Sequence, residues 1–163
     1  MKLIRNSGTE RVADELRQHL TPDTTLSIAT PAFSLFAFGE LRKQLTQLAG
    51  VKLALPAAAD LSGLGLLGTA ADRPLRNRLQ TRWLAQQCAT WLEQKAEVRR
   101  AAGPIPQATL ITANTKDPAH QRVLSGACAF TTEGLGLTPG NQFGLIQSSE
   151  SAMDFELLSE WFW

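Results

Sequence analysis

Residues 24–55, TTLSIATPAFSLFAFGELRKQLTQLAGVKLAL, decide the fold class. Leu26 and Ile28 alternate with small polar residues over TTLSIAT (24–30), the period of a short strand, and Pro31 stops it. Leu35, Phe38, Leu41, Leu45 and Leu48 then recur every three or four residues, which predicts one amphipathic helix over 34–48. Gly50 closes that helix, and VKLAL (51–55) reads as a buried strand. A strand, a helix and a strand in that order make a crossover unit, so the two strands are expected to be parallel.

Working outward, TERVADELRQHL (9–20) places Val12, Leu16 and Leu20 four residues apart behind Ser7 and Thr9, predicting a first helix that ends at Pro22. After the second strand, residues 56–72 are small, apolar and punctuated by Gly63, Gly65 and Gly68. Their GLGLLG does not directly follow a strand and open a helix, as a dinucleotide fingerprint must, so a loop or short hairpin is expected. Pro74 suits the first turn of a long helix to Lys95, with Leu75, Leu79, Leu84, Cys88, Trp91 and Leu92 as its apolar stripe. Trp83 and Trp91 both fall on or beside that stripe and are expected in the core. Strands are then predicted at 96–101, 108–112, 122–127 and 142–147, and an acidic amphipathic helix from Glu150 to Trp163 carrying Met153, Leu157, Leu158 and Trp161. The expected architecture is α/β, a mixed β-sheet flanked by helices on both faces, in one domain spanning 1–163. The chain stops on SEWFW inside the last helix, which reads as an N-terminal piece of a longer protein.

The composition is that of an ordinary globular chain of 163 residues, 44% hydrophobic and 19% charged, with a formal net charge of +1. A uniformly basic nucleic-acid coat and a disordered chain are thereby excluded. Cys88 and Cys128 lie in apolar surroundings without metal-ligand spacing and read as buried free thiols. His19 and His120 stand alone, so neither a metal site nor a cofactor is expected. The N-terminus lacks an apolar signal region and no run is long enough to span a membrane, which places the chain in the cytoplasm.

The element order, together with RVLSGACAFTTEGLGLTPGNQFGLIQ (122–147), resembles the phospholipase D-like superfamily in its single-copy form. That form occurs as endonucleases and as N-terminal modules of DNA helicases and restriction-type ATPases. The resemblance runs from IATPAFSLFAF (28–38) to the closing SEWF. It implies a phospholipase D-like fold and a family strand bearing His-x-Lys with an Asp five residues after the lysine, followed by a Gly-Ser-x-Asn-Phe-Thr segment. On QATLITAN (107–114) it places Gln107 at the histidine, Thr109 at the lysine and Asn114 at the aspartate. In the second segment Gly126, Phe130, Thr131, Gly134 and Leu135 match, while Ala127 stands at the serine, Ala129 at the asparagine and Gln142 near the acid.

An amide, a hydroxyl and a neutral Asn offer neither a nucleophilic imidazole nor a cation for the equatorial phosphate oxygens. The resemblance is therefore to a catalytically dead copy, a non-catalytic module of a larger DNA-processing protein. The whole protein could be an ATP-dependent helicase. The alternative is a phosphodiesterase or nuclease whose site is rebuilt from Asn114, Glu133 and His120.

Charge is unevenly distributed. Residues 73–100 carry seven bases and two acids, and residues 133–163 carry five acids and no base. Arg73, Arg76, Arg78 and Arg82 could form a ridge that meets DNA phosphates. The same arginines could equally be solvated, or paired with the acidic C-terminal helix of the same or a neighbouring subunit. Three partners are thus expected: DNA, the remainder of the longer protein, and a second copy in a homodimer across an apolar surface of Ala127, Cys128 and Ala129.

Overall fold

A computed structural model of the chain describes residues 1–57, 64–69, 72, 74, 80–141 and 143–163. Seven strands form one mixed sheet: β1 (Lys2–Leu3), β2 (Thr24–Ala29), β3 (Gly50–Leu55), β4 (Ala96–Arg100), β5 (Ala108–Asn114), β6 (Arg122–Gly126) and β7 (Ile146–Ser149). Their order is β1-β7-β6-β5-β2-β3-β4, antiparallel from β1 to β2 and parallel across β2, β3 and β4. The crossover read from residues 24–55 is present, with Leu26 beside Val51 and Ile28 beside Leu53.

The described helices are α1 (Val12–His19), α2 (Leu35–Glu40), α3 (Arg42–Gln47), α4 (Gln80–Lys95) and α5 (Ala152–Phe162). The helix expected over 34–48 is two helices. At Leu41 the backbone leaves helical geometry, with φ −105° and ψ 10°. Just before it, Gly39 packs so closely on Leu84 of α4 that a Cβ there would lie 2.9 Å from a Leu84 methyl. Apolar periodicity continues across the break because both pieces bury the same side. The start of α1 is held by Asn6, whose Oδ1 accepts the Val12 N–H at 2.9 Å, and not by Ser7 or Thr9.

Strand alternation sorts the residues onto two faces. Leu26, Ile28, Val51, Leu53, Ala108, Leu110, Leu124 and Ile146 belong to one core with Val12, Leu16, Phe38, Leu45, Cys88 and Trp91 from α1 to α4. Ile111 and Val123 point the other way and are also buried, 4% and 3% exposed. The element touching β5 and β6 there is α5. Helices thus cover both faces, four of the described helices on one and one on the other. Ser151 caps α5 by accepting the Asp154 N–H, and its far end brings Trp163 beneath Lys52 and Arg99, 5.6 and 4.1 Å from the ring centroid.

Two expectations fail at the C-terminal third. The strand expected over 142–147 runs from Ile146 to Ser149, because Gly126 (φ +120°) turns the chain so tightly that a Cβ there would meet the Leu145 carbonyl oxygen. Phe143 and Leu145 lie before the strand, 86% and 56% exposed. In α5, Met153, Leu157 and Trp161 are exposed and not core, while Leu158 is half-buried. No described helix is long and apolar enough to cross a membrane.

Candidate functional site

The positions that carry phosphodiester chemistry in the resembling family do not converge on a reactive group. Strands β5 and β6 are antiparallel, with Ala108 beside Gly126 and Thr112 beside Arg122. Gln107 therefore sits with Ala127 and Ala129 at one end of the sheet, and Asn114 lies at the other, about 20 Å away along a seven-residue strand. Gln107 is exposed and Thr109 is buried. Asn114 closes an Asx turn, its Oδ1 accepting the N–H groups of Lys116 and Asp117 at 2.9 and 3.0 Å. Gln142 lies outside the described residues.

The matching scaffold residues have structural work at the Gln107 end. Phe130 is fully buried, stacks on Phe33 at 5.0 Å, and donates its N–H to the buried Thr30 hydroxyl at 3.0 Å. Thr131 Oγ1 accepts the Gly134 N–H, and a Cβ on Gly134 would strike the Ala129 carbonyl oxygen. One carboxylate is buried here that the sequence reading did not single out. Asp72 is 1% exposed; its Oδ1 accepts the Thr132 hydroxyl at 2.7 Å and its Oδ2 the Thr69 N–H at 2.9 Å. The T-x-x-D pattern at 69–72 was the available signal, a capping-box spacing in which the acid reaches back to its own turn. Both oxygens being occupied by neutral donors, Asp72 is a clasp between two loops.

Cys128 is a buried free thiol, as its apolar surroundings predicted, and so it cannot contribute to the apolar surface expected from Ala127, Cys128 and Ala129. Its thiol donates to the Ala108 carbonyl at 3.8 Å, and burial pushes it up to about 12. Burial also pushes Cys88 up to about 12. Both thiols stay protonated and are poor nucleophiles. The surface at this end is made by Ala127 with the exposed Phe143 and Leu145 that follow it around the turn.

Nor are Asn114, Glu133 and His120 brought together. Glu133 belongs to the Gln107 end, where its carbonyl accepts from the Asn6 side chain. His120 is exposed at the other end, 2.5 Å from Asp117. The Ala119 N–H, and then His120, hold Asp117 below the usual carboxylate range.

At the Asn114 end lies an ionic cluster. Arg122, 12% exposed, reaches Glu15 at 3.2 Å, the Ser148 hydroxyl at 3.0 Å, and Glu150. His19 Nε2 approaches Glu15 at 3.8 Å. Burial and the Arg122 charge lower His19 from its ordinary value, so its neutral form is favoured. A cleft of about 340 Å³ opens beside Lys2, Arg122 and Ser148. Two carboxylates already neutralise the one deeply set cation, which makes this a structural ion-pair network.

Unneutralised positive charge lies on the helical layer. Arg73, Arg76 and Arg78 are outside the described residues; Arg82 is exposed at the start of α4. The break at Leu41 starts α3 with Arg42, which reaches Trp83 next to Arg82, and Lys43 follows it as an exposed residue. Trp83, expected in the core, is 46% exposed, and the Arg42 guanidinium stacks over its ring at 5.0 Å. Trp91 is the buried one, donating its indole N–H to the Leu45 carbonyl at 3.0 Å. Among the described residues, neither Lys43 nor Arg82 forms an ion pair. The Arg42-Lys43 dipeptide inside an amphipathic helix was the signal for this extension of the basic face. No family model matches the chain, and no curated protein matches it.

Proposed function

We propose that the chain is a non-catalytic, phospholipase D-like module that contacts nucleic acid through the face formed by α3 and the start of α4, within a larger helicase- or restriction-type protein. The observation that carries the reading is the exposed Trp83 with Arg42 stacked on it, Arg82 preceding the indole and the exposed Lys43 following Arg42 in sequence. Cations neutralise phosphates and an open indole offers a platform for an unpaired base, so contact is sequence-tolerant and favours single strands. The absence of catalysis is supported by Gln107, Thr109 and Asn114 occupying the reactive positions of the resemblance, two of them at opposite ends of β5. A homodimer through Ala127, Phe143 and Leu145 is compatible with the same reading.

The test is fluorescence anisotropy with labelled single-stranded and duplex oligonucleotides across a salt series. Binding should be weak, with a dissociation constant on the order of micromolar at low salt, and should weaken steeply as salt rises. Arg42→Glu with Arg82→Glu should abolish it, and Trp83→Ala should reduce single-strand affinity about tenfold while sparing duplex. Supercoiled plasmid should stay intact in the same samples. Binding that survives the double charge reversal, or nicking that copurifies with the chain, would overturn the reading.

A further inference from the structure

The outer side of α5 exposes three large apolar side chains in one row. Phe155, Leu158 and Phe162 turn toward the sheet and are half-buried. Met153, Leu157 and Trp161, each four residues after the last, form a stripe on the open side, 77%, 66% and 61% exposed. Next to that stripe run Glu156 and Glu160, also exposed, and among the described residues neither has an ion-pair partner. From Glu133 to Trp163 the chain holds five acids and no base. A helix that is apolar on its open side as well as on the side seated on the sheet, bordered by carboxylates without ion-pair partners among the described residues, is complementary to one kind of surface.

We infer that α5 docks a cationic amphipathic helix of a partner protein, its apolar residues on Met153, Leu157 and Trp161 and its lysines or arginines opposite Glu156 and Glu160. Charge selects this occupant over two others. In a second copy packed antiparallel, the glutamate border of one α5 would meet the same border of the other, and no base lies within the segment to relieve it. An anionic lipid surface would be repelled by the same carboxylates.

The experiment uses the full chain, isotope-labelled for backbone amide NMR, with two helical probe peptides: one of leucine and lysine, one of leucine and glutamate in the same pattern. The leucine–lysine peptide should shift the amides of Ala152–Phe162 and weaken as salt rises, and the leucine–glutamate peptide should not bind. Glu156→Lys with Glu160→Lys should invert the preference, each affinity moving about tenfold in opposite directions. Leu157→Gln should weaken the leucine–lysine peptide without inverting anything. Equal binding of both peptides, binding of neither, shifts centred outside α5, or a preference unchanged by the double substitution would overturn the proposal. So would a concentration-dependent dimer that leucine–lysine peptide fails to dissociate, or binding to anionic vesicles that Leu157→Gln removes.

Discussion

The two faces of the sheet are stabilised differently although the strands supply both from alternate residues of the same sequence. On one face, α1 to α4 enclose a continuous core around Phe38, Leu45 and Leu110, all fully buried, with Trp91 tied to the Leu45 carbonyl. On the other, Ile111 and Val123 are buried on the face where, among the described helices, only α5 packs, a helix that has no fully buried residue of its own. A surface closed by four interlocked helices relaxes little when an atom is removed, whereas one helix anchored at its ends can move. The comparison teaches that depth of burial alone does not measure how much a residue contributes to the fold.

Truncation separates the faces most sharply. Phe38→Ala empties the closed core and removes the ring packed 5.2 Å from Trp91, and should cost about 3–5 kcal/mol. Ile111→Ala, on the face under α5, should cost about 2 kcal/mol because α5 can settle into the space. Urea unfolding of both variants measures the difference. An Ile111→Ala cost equal to that of Phe38→Ala would show α5 to be packed as rigidly as the four-helix layer.

The same contrast explains what the sequence made legible. The parallel crossover, the buried Cys88 and Trp91, and the strand read at 108–112 were readable because each buries a periodic apolar set against several neighbours, while the strand read at 96–101 is present as the edge strand β4 although its residues are mostly exposed. The break at Leu41 was not, since both halves keep the period and the cause is a remote Leu84 pressed on Gly39. Apolar period likewise misplaced Trp83, Met153, Leu157 and Trp161, because period reports which residues share a side and not whether anything covers it. Candidate-site positions were less legible still. Gln107 and Asn114 look close on paper, and only strand direction shows that they occupy opposite ends of the sheet. Asn6 bonds to Glu133 and Gly134 and Asp72 to Thr132, loops distant in sequence, and the local T-x-x-D spacing shows only the half of the Asp72 clasp that returns to Thr69.

A smaller effect is expected at the edge of the closed face, where His19 meets Glu15 and Arg122, with Glu150 and His120 contributing from farther off. Because burial lowers His19 in the folded chain, the unfolded chain takes up the proton first as pH falls. Stability should therefore decline as pH drops from 7 through the ordinary histidine value of about 6.5, and level off below the lowered folded value. Replacing His19→Gln should flatten the slope in that window. The check is thermal unfolding at half-unit steps between pH 7.5 and 5, and an unchanged slope in the variant would mean that the ionic cluster stays open enough to hydrate the imidazolium.

The smallest effect is the one that most directly probes the open face. Leu157→Gln keeps helix propensity and removes an apolar side chain that is 66% exposed, so unfolding stability should change by no more than about 0.5 kcal/mol. A buried leucine in the closed core would cost several times as much. If Leu157→Gln destabilises the isolated chain by about 2 kcal/mol or more, the stripe is already packed within the molecule and the asymmetry between the faces disappears. If stability is unchanged while the leucine–lysine peptide no longer shifts the α5 amides, the leucine serves an encounter with another chain. Fold stability and partner affinity then separate at a single residue, as an exposed apolar stripe beside free carboxylates requires.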